Sequence, residues 1–76
     1  MKTELEEFGF KLIYEYTHGD NNDFTTIEFR KGLLFIELDY DSKSGKLLHH
    51  DLTIEERTIT PTLSEIEILD KILNKI

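Results

Sequence analysis

His49, His50 and Asp51 follow one another in the chain, and imidazole beside carboxylate is the residue chemistry of metal binding and proton transfer. Neighbouring residues of an extended strand point to opposite faces, so His49 and His50 cannot hold one ion together, whereas His49 and Asp51 share a face. If the strand carrying Asp39 pairs alongside, the three make a candidate divalent-ion site. His50 then points inward, its ring nitrogen satisfied by backbone or water. His18, close to Asp20 and Asp23, reads as an ordinary soluble loop residue. Ser42, Ser44 and Ser64 lie in a turn or at a helix start with no nucleophile elbow around them, and no HExxH, Walker or GxGxxG spacing occurs. Paired carboxylates on an open surface cannot exclude water, so the residues point to a protein that is not an enzyme and uses no cofactor.

Composition narrows the partners. Nine basic against 16 acidic side chains give a formal charge of -7, which repels phosphate and anionic membrane surfaces and disfavours direct nucleic-acid binding. The absence of Cys excludes disulfides, thiolate metal sites and cysteine nucleophiles. Apolar runs go no further than Leu33 to Ile36, and the opening residues carry Glu4, Glu6 and Glu7. No secretion signal or membrane span is expected, and the cytoplasm is the default compartment. Seventy-six residues suit a single domain, 1–76, whose core is lean at 38% hydrophobic residues.

The elements that must position these side chains follow from periodicity and turn chemistry. Thr3 to Phe8 predicts a short helix, with acidic residues at its positive end and Gly9 in the left-handed position beyond it. From Phe10 the period becomes two, placing Phe10, Leu12, Tyr14 and Tyr16 on one face and Ile13 and Glu15 on the other. Gly19, Asn21 and Asn22 predict a reversal, followed by strands over Phe24 to Arg30, Leu33 to Tyr40 and Leu47 to Ile54. The hairpin turn is placed at Lys31 and Gly32, pairing Phe29 with Leu34 and Ile27 with Ile36; the other two reversals pair Tyr14 with Ile27 and Ile36 with Leu52. All three registers agree on one apolar face, with Leu48, Leu52 and Ile54 inward on the last strand. Thr62 and Glu65 fit a capping box, and Ile66, Leu69, Ile72, Leu73 and Ile76 form a stripe at helical spacing, with Ile68 and Leu63 outside it. The expectation is an α+β domain: a four-stranded antiparallel meander with a short N-terminal helix and a C-terminal helix packed on one face (α-β-β-β-β-α).

Function then belongs on the opposite face. There the expected register sets Glu37 opposite Asp51, Asp39 opposite His49 and Glu28 opposite Phe35, with Glu15 one strand over and Glu55 at the far end. Like charges in reach of one another are relieved by a Lys, an Arg or a cation, so Glu15, Glu28, Phe35, Glu37, Asp39, His49, Asp51 and Glu55 are the candidate residues for a basic partner. The plainer alternative is an ordinary solvated sheet face. Leu33, Phe35 and Leu47 also point outward, as a small second core under the N-terminal helix or as a contact patch.

The runs Leu5 to Phe10, Phe29 to Gly32 and Ile36-Glu37-Leu38-Asp39-Tyr40, with the Ile- and Leu-rich C-terminal helix, resemble small uncharacterised proteins of phages and other mobile elements. That resemblance implies a small accessory protein, and acidic members of this broad class include inhibitors that imitate nucleic-acid charge. Two readings come out of the sequence: a module whose acidic face occludes a basic protein, and a self-assembling homodimer that pairs an edge strand or its helix through Ile68.

Overall fold

The computed structural model describes residues 1–74. It contains α1 (Lys2–Glu7), β1 (Lys11–His18), β2 (Phe24–Lys31), β3 (Leu34–Asp41), β4 (Leu47–Ile54), β5 (Arg57–Ile59) and α2 (Leu63–Leu73). The strands form one antiparallel sheet in the order β1-β2-β3-β4-β5, so the meander expected from the turns is present, with five strands instead of four. The unexpected strand follows a tight turn at Glu55 and Glu56, where Glu55 takes a left-handed φ of 57°. Two glutamates carry no turn signal, which is why β5 was not legible.

Alternation puts Ile27, Phe29, Leu34, Ile36, Leu38 and Leu52 on one face, and Leu5 of α1, Phe10 and Ile66 of α2 complete the buried cluster against them. Burying a side chain of this size fully contributes about 1.5–3 kcal/mol, so this one layer is the main source of the fold's stability. The α2 capping box forms as expected: the Glu65 N–H donates to Thr62 Oγ1 at 3.2 Å, and the Thr62 N–H donates back to Glu65 Oε1 at 3.0 Å. The stripe is rotated from its expected arc. Leu63, Leu69 and Leu73 pack against the core, whereas Ile72 is 65% exposed beside the exposed Ile68; Ile76 lies outside the described residues.

A polar knot fastens the helices to the β2–β3 hairpin. Lys31 Nζ donates to Asp70 Oδ2 at 2.6 Å and to the carbonyl of Phe8, while Asn74 accepts from the Leu33 N–H at 2.9 Å and donates to the Lys31 carbonyl at 2.8 Å. The hairpin turn itself is Gly32 and Leu33, one residue later than expected, with Lys31 opposite Leu34. Glycine suits its first position: φ is +56°, and a Cβ there would run into the Asn74 side-chain amide.

Three register differences decide which side chains share a face. In β2 and β3, Phe29 pairs with Ile36 and Ile27 with Leu38, a slip of two residues that preserves the faces and changes the neighbours. In β1, Leu12 pairs with Phe29, but the register shifts between Leu12 and Tyr14, so Tyr14 stands opposite Glu28 instead of Ile27. In β4 a second irregularity sets Leu47 opposite Tyr40, which brings Leu47 against the core and leaves Leu48, expected inward, exposed. A bulge adds one residue to one strand and reverses the facing of everything beyond it, which alternation alone cannot foresee.

Candidate functional site

The face away from the helices carries its carboxylates in adjacent register positions on three neighbouring strands. Glu28 of β2 is opposite Glu37 of β3, which is opposite Asp51 of β4; one step along, Thr26 is opposite Asp39, which is opposite His49. Directly opposed side chains on antiparallel strands have Cβ atoms about 4.5–5.5 Å apart, close enough for carboxylates to repel. The effect is visible on Glu37, at the centre of the row: partial burial, then the charges of Asp39, Asp51 and Glu28, raise its pKa above the ordinary glutamate value, with His49 opposing them. Among the described residues no Lys or Arg forms an ion pair with Glu28, Glu37, Asp39 or Asp51. His49 Nε2 lies 3.5 Å from Asp51 Oδ2, the one contact of a basic side chain with these four carboxylates among the described residues.

The bulge in β1 adds what the sequence reading lacked. Tyr14 and Tyr16 were expected inward, but they now stand opposite Glu28 and Thr26 on the acidic face, and His18 stands opposite Phe24. Their rings form a ladder down the edge strand: Tyr14 to Tyr16 at 5.1 Å between centroids, edge to face, then Tyr16 to His18 at 5.3 Å and His18 to Phe24 at 5.6 Å. His18 is thus held in a strand and stacked, rather than free in a loop.

A hydrogen-bond chain links this ladder to the acids. The buried Thr26 hydroxyl donates to Asp39 Oδ1 at 2.6 Å, and His18 Nε2 lies 2.8 Å from the same Thr26 oxygen. The carboxylate only accepts, so the Thr26 proton is committed to Asp39, and His18 must donate through Nε2–H. That leaves Nδ1 as the ring's free position in the neutral form. The signal for this chain was present in the alternation of His18, Thr26 and Asp39, but the slipped and bulged registers hid it. His50, by contrast, is inward as expected, its Nε2 donating to the Pro61 carbonyl at 2.7 Å.

Of the candidate partner-binding residues, Glu28, Glu37, Asp39, His49 and Asp51 come together on this face. Phe35 is on the same face but opposite Arg30, where the expected register had Glu28; with Arg30, Leu33, Thr53 and Glu55 it lines a shallow open cleft of about 340 Å³. Glu55 is in the β4–β5 turn beside that cleft instead of at a strand end. Glu15 does not join them. Beyond the bulge it stands opposite Ile27 on the helix side, with its carboxylate 4.0 Å from Lys2 Nζ. Leu33 and Phe35 make no second core under α1, because α1 packs its Leu5 into the main cluster on the other face, which Leu47 also joins.

Among the described residues no group of three His, Asp or Glu side chains comes together in a way that could hold a metal ion, so His49, Asp39 and Asp51 share a face without forming a metal centre. No described helix is long and apolar enough to cross a membrane. The arrangement is an open sheet face that is acidic at its centre and aromatic along one edge. The chain matches no family model, no curated protein and no solved structure, so this face is what the functional reading rests on.

Proposed function

We propose that the protein is a small non-enzymatic binding module whose acidic sheet face occludes a basic surface on another protein. The observation that carries this reading is the row Glu28, Glu37, Asp51 with Asp39 beside it: adjacent carboxylates on three strands, with no Lys or Arg paired to them among the described residues. Such a row costs stability in the free protein and is relieved by incoming cations, the charge pattern of a surface built for a basic partner. The sharper form is charge mimicry of nucleic acid, with Glu28, Glu37, Asp39 and Asp51 standing in for phosphates against a nucleic-acid-binding protein. An inhibitor carried by a phage or other mobile element would use such a face, and it would act in the cytoplasm.

The test is capture of interacting protein from nuclease-treated lysate of the source organism, released by rising salt, with wild type compared with two charge reversals. Glu37→Lys with Asp39→Lys should abolish retention of a basic protein, while Glu6→Lys with Glu7→Lys on α1 changes net charge equally and should leave most of it. Equal loss from both pairs would overturn the site assignment.

A second reading is self-assembly. It is favoured by the exposure of all eight residues of edge strand β1 and of Ile68 and Ile72 on α2. Light scattering separates the two: a dimer insensitive to salt and lost in Ile68→Glu supports self-assembly, and a monomer supports the module that needs a partner.

A further inference from the structure

The basic-partner reading leaves open which cation the face is shaped for, and the bulge in β1 answers that. Without it, Tyr14 and Tyr16 would lie on the helix side, away from the carboxylates. With it, Tyr14 is the cross-strand neighbour of Glu28, and Tyr16 is the neighbour of Thr26, whose hydroxyl holds Asp39 in place. Both rings are exposed, Tyr14 at 55% and Tyr16 at 39%, with Tyr16 standing between Tyr14 and His18 in the ladder. Each ring therefore has a carboxylate within one or two strands on the same face.

Paired ring and carboxylate discriminate between the two basic side chains. A guanidinium is planar and weakly hydrated, so it can stack on an aromatic face while its N–H fork reaches a carboxylate; an ammonium is a compact, strongly hydrated point charge that gains little from the ring. Asp39, with one oxygen fixed by Thr26, and Glu28, with no ion pair among the described residues, are both available to accept such a fork. Edge strand β1 is exposed along its whole length, so a partner segment can reach the rings from the side as well as from above.

Resting on the basic-partner reading, we propose that the open face selects arginine over lysine: the occupant is an arginine-bearing segment of a basic protein, its guanidinium groups stacked on Tyr14 and Tyr16 and hydrogen-bonded to Glu28 and Asp39. The chain's own arginines, Arg30 and Arg57, make a second copy the competing occupant, and concentration-dependent line broadening in the free protein would reveal it.

The test uses arginine and lysine homopeptides of equal length, titrated at low salt into isotopically labelled protein and followed by NMR. The arginine peptide should bind at least about five-fold more tightly, the factor that one cation–π contact of about 1 kcal/mol provides, with shifts centred on Tyr14, Tyr16, Glu28 and Asp39. Tyr14→Leu with Tyr16→Leu should lower arginine-peptide affinity to that of lysine without changing the lysine value, and the corresponding Phe pair should keep the preference. Equal affinities that fall together in Glu28→Gln with Glu37→Gln would overturn the arginine preference and leave the basic-partner reading standing. Absence of shifts on this face with either peptide would overturn both. A preference that survives the Leu pair would overturn the role of the rings.

Discussion

The two faces of one sheet are built from the same alternating strands and resolve their polar groups in opposite ways. On the helix side polar groups that approach the core are paired: Lys31 with Asp70, and His50 with the Pro61 carbonyl. On the open side Glu28, Glu37 and Asp51 stand in a row, and among the described residues only His49, at Asp51, brings a basic side chain to them. The first face is what folds the chain. The second gains nothing for folding from its charge pattern, and a surface that is unfavourable alone and favourable with a cation is a surface suited to binding.

The largest effect that can be placed on this contrast is loss of the covered face. Phe29→Ala removes a fully buried ring from the centre of the core and should lower stability by about 3–5 kcal/mol, enough to unfold much of a domain this small. Urea denaturation followed by circular dichroism measures it. An effect below about 1 kcal/mol would mean that the core is not where the fold is held.

A smaller and more discriminating effect is pH dependence, because the faces carry shifts of opposite sign. Burial raises the Asp70 carboxyl, but hydrogen bonds from Lys31 and Asn74 and the charges of Lys31 and Lys71 outweigh it and hold the group below the ordinary aspartate value. Its folded state favours the charged form, so its contribution is present above the unfolded pKa and is lost as the pH falls through the folded one. Glu37 is raised, so its contribution is fully present below the unfolded pKa and is lost as the pH rises through the folded one. Asp70→Asn should therefore cost about 1–2 kcal/mol at neutral pH, with the deficit shrinking in acid. Urea midpoints from neutral pH down to the carboxylate range check this, and a constant deficit across that range would contradict the assignment.

Much of this contrast could be read in the chain and part could not. Periodicity in Leu34, Ile36 and Leu38, turn residues at Gly19 to Asn22 and at Ser42 and Ser44, and the Thr62–Glu65 box were enough for the meander, its covered face and the start of α2. Glu37 opposite Asp51 and Asp39 opposite His49 were legible because the β3–β4 register is regular there. What alternation hid lies past an irregularity. The bulge between Leu12 and Tyr14 moves Glu15 off the open face and brings Tyr14, Tyr16 and His18 onto it. The turn at Gly32 and Leu33 sets Glu28 against Glu37 instead of Phe35. An extra residue in one strand is decided by packing across the sheet, and local propensity is silent about it.

A carboxylate row kept for a partner is unfavourable to the free fold. Urea denaturation at neutral pH and low salt, comparing wild type with the combined Glu28→Gln, Glu37→Gln and Asp51→Asn variant, tests it most directly. Relief of the repulsion should raise the midpoint, by about 0.5–1 kcal/mol in stability, and added salt should shrink that gain. A lowered midpoint would show that these carboxylates are bonded within the fold, and the open face would then be part of its structure and not a docking surface.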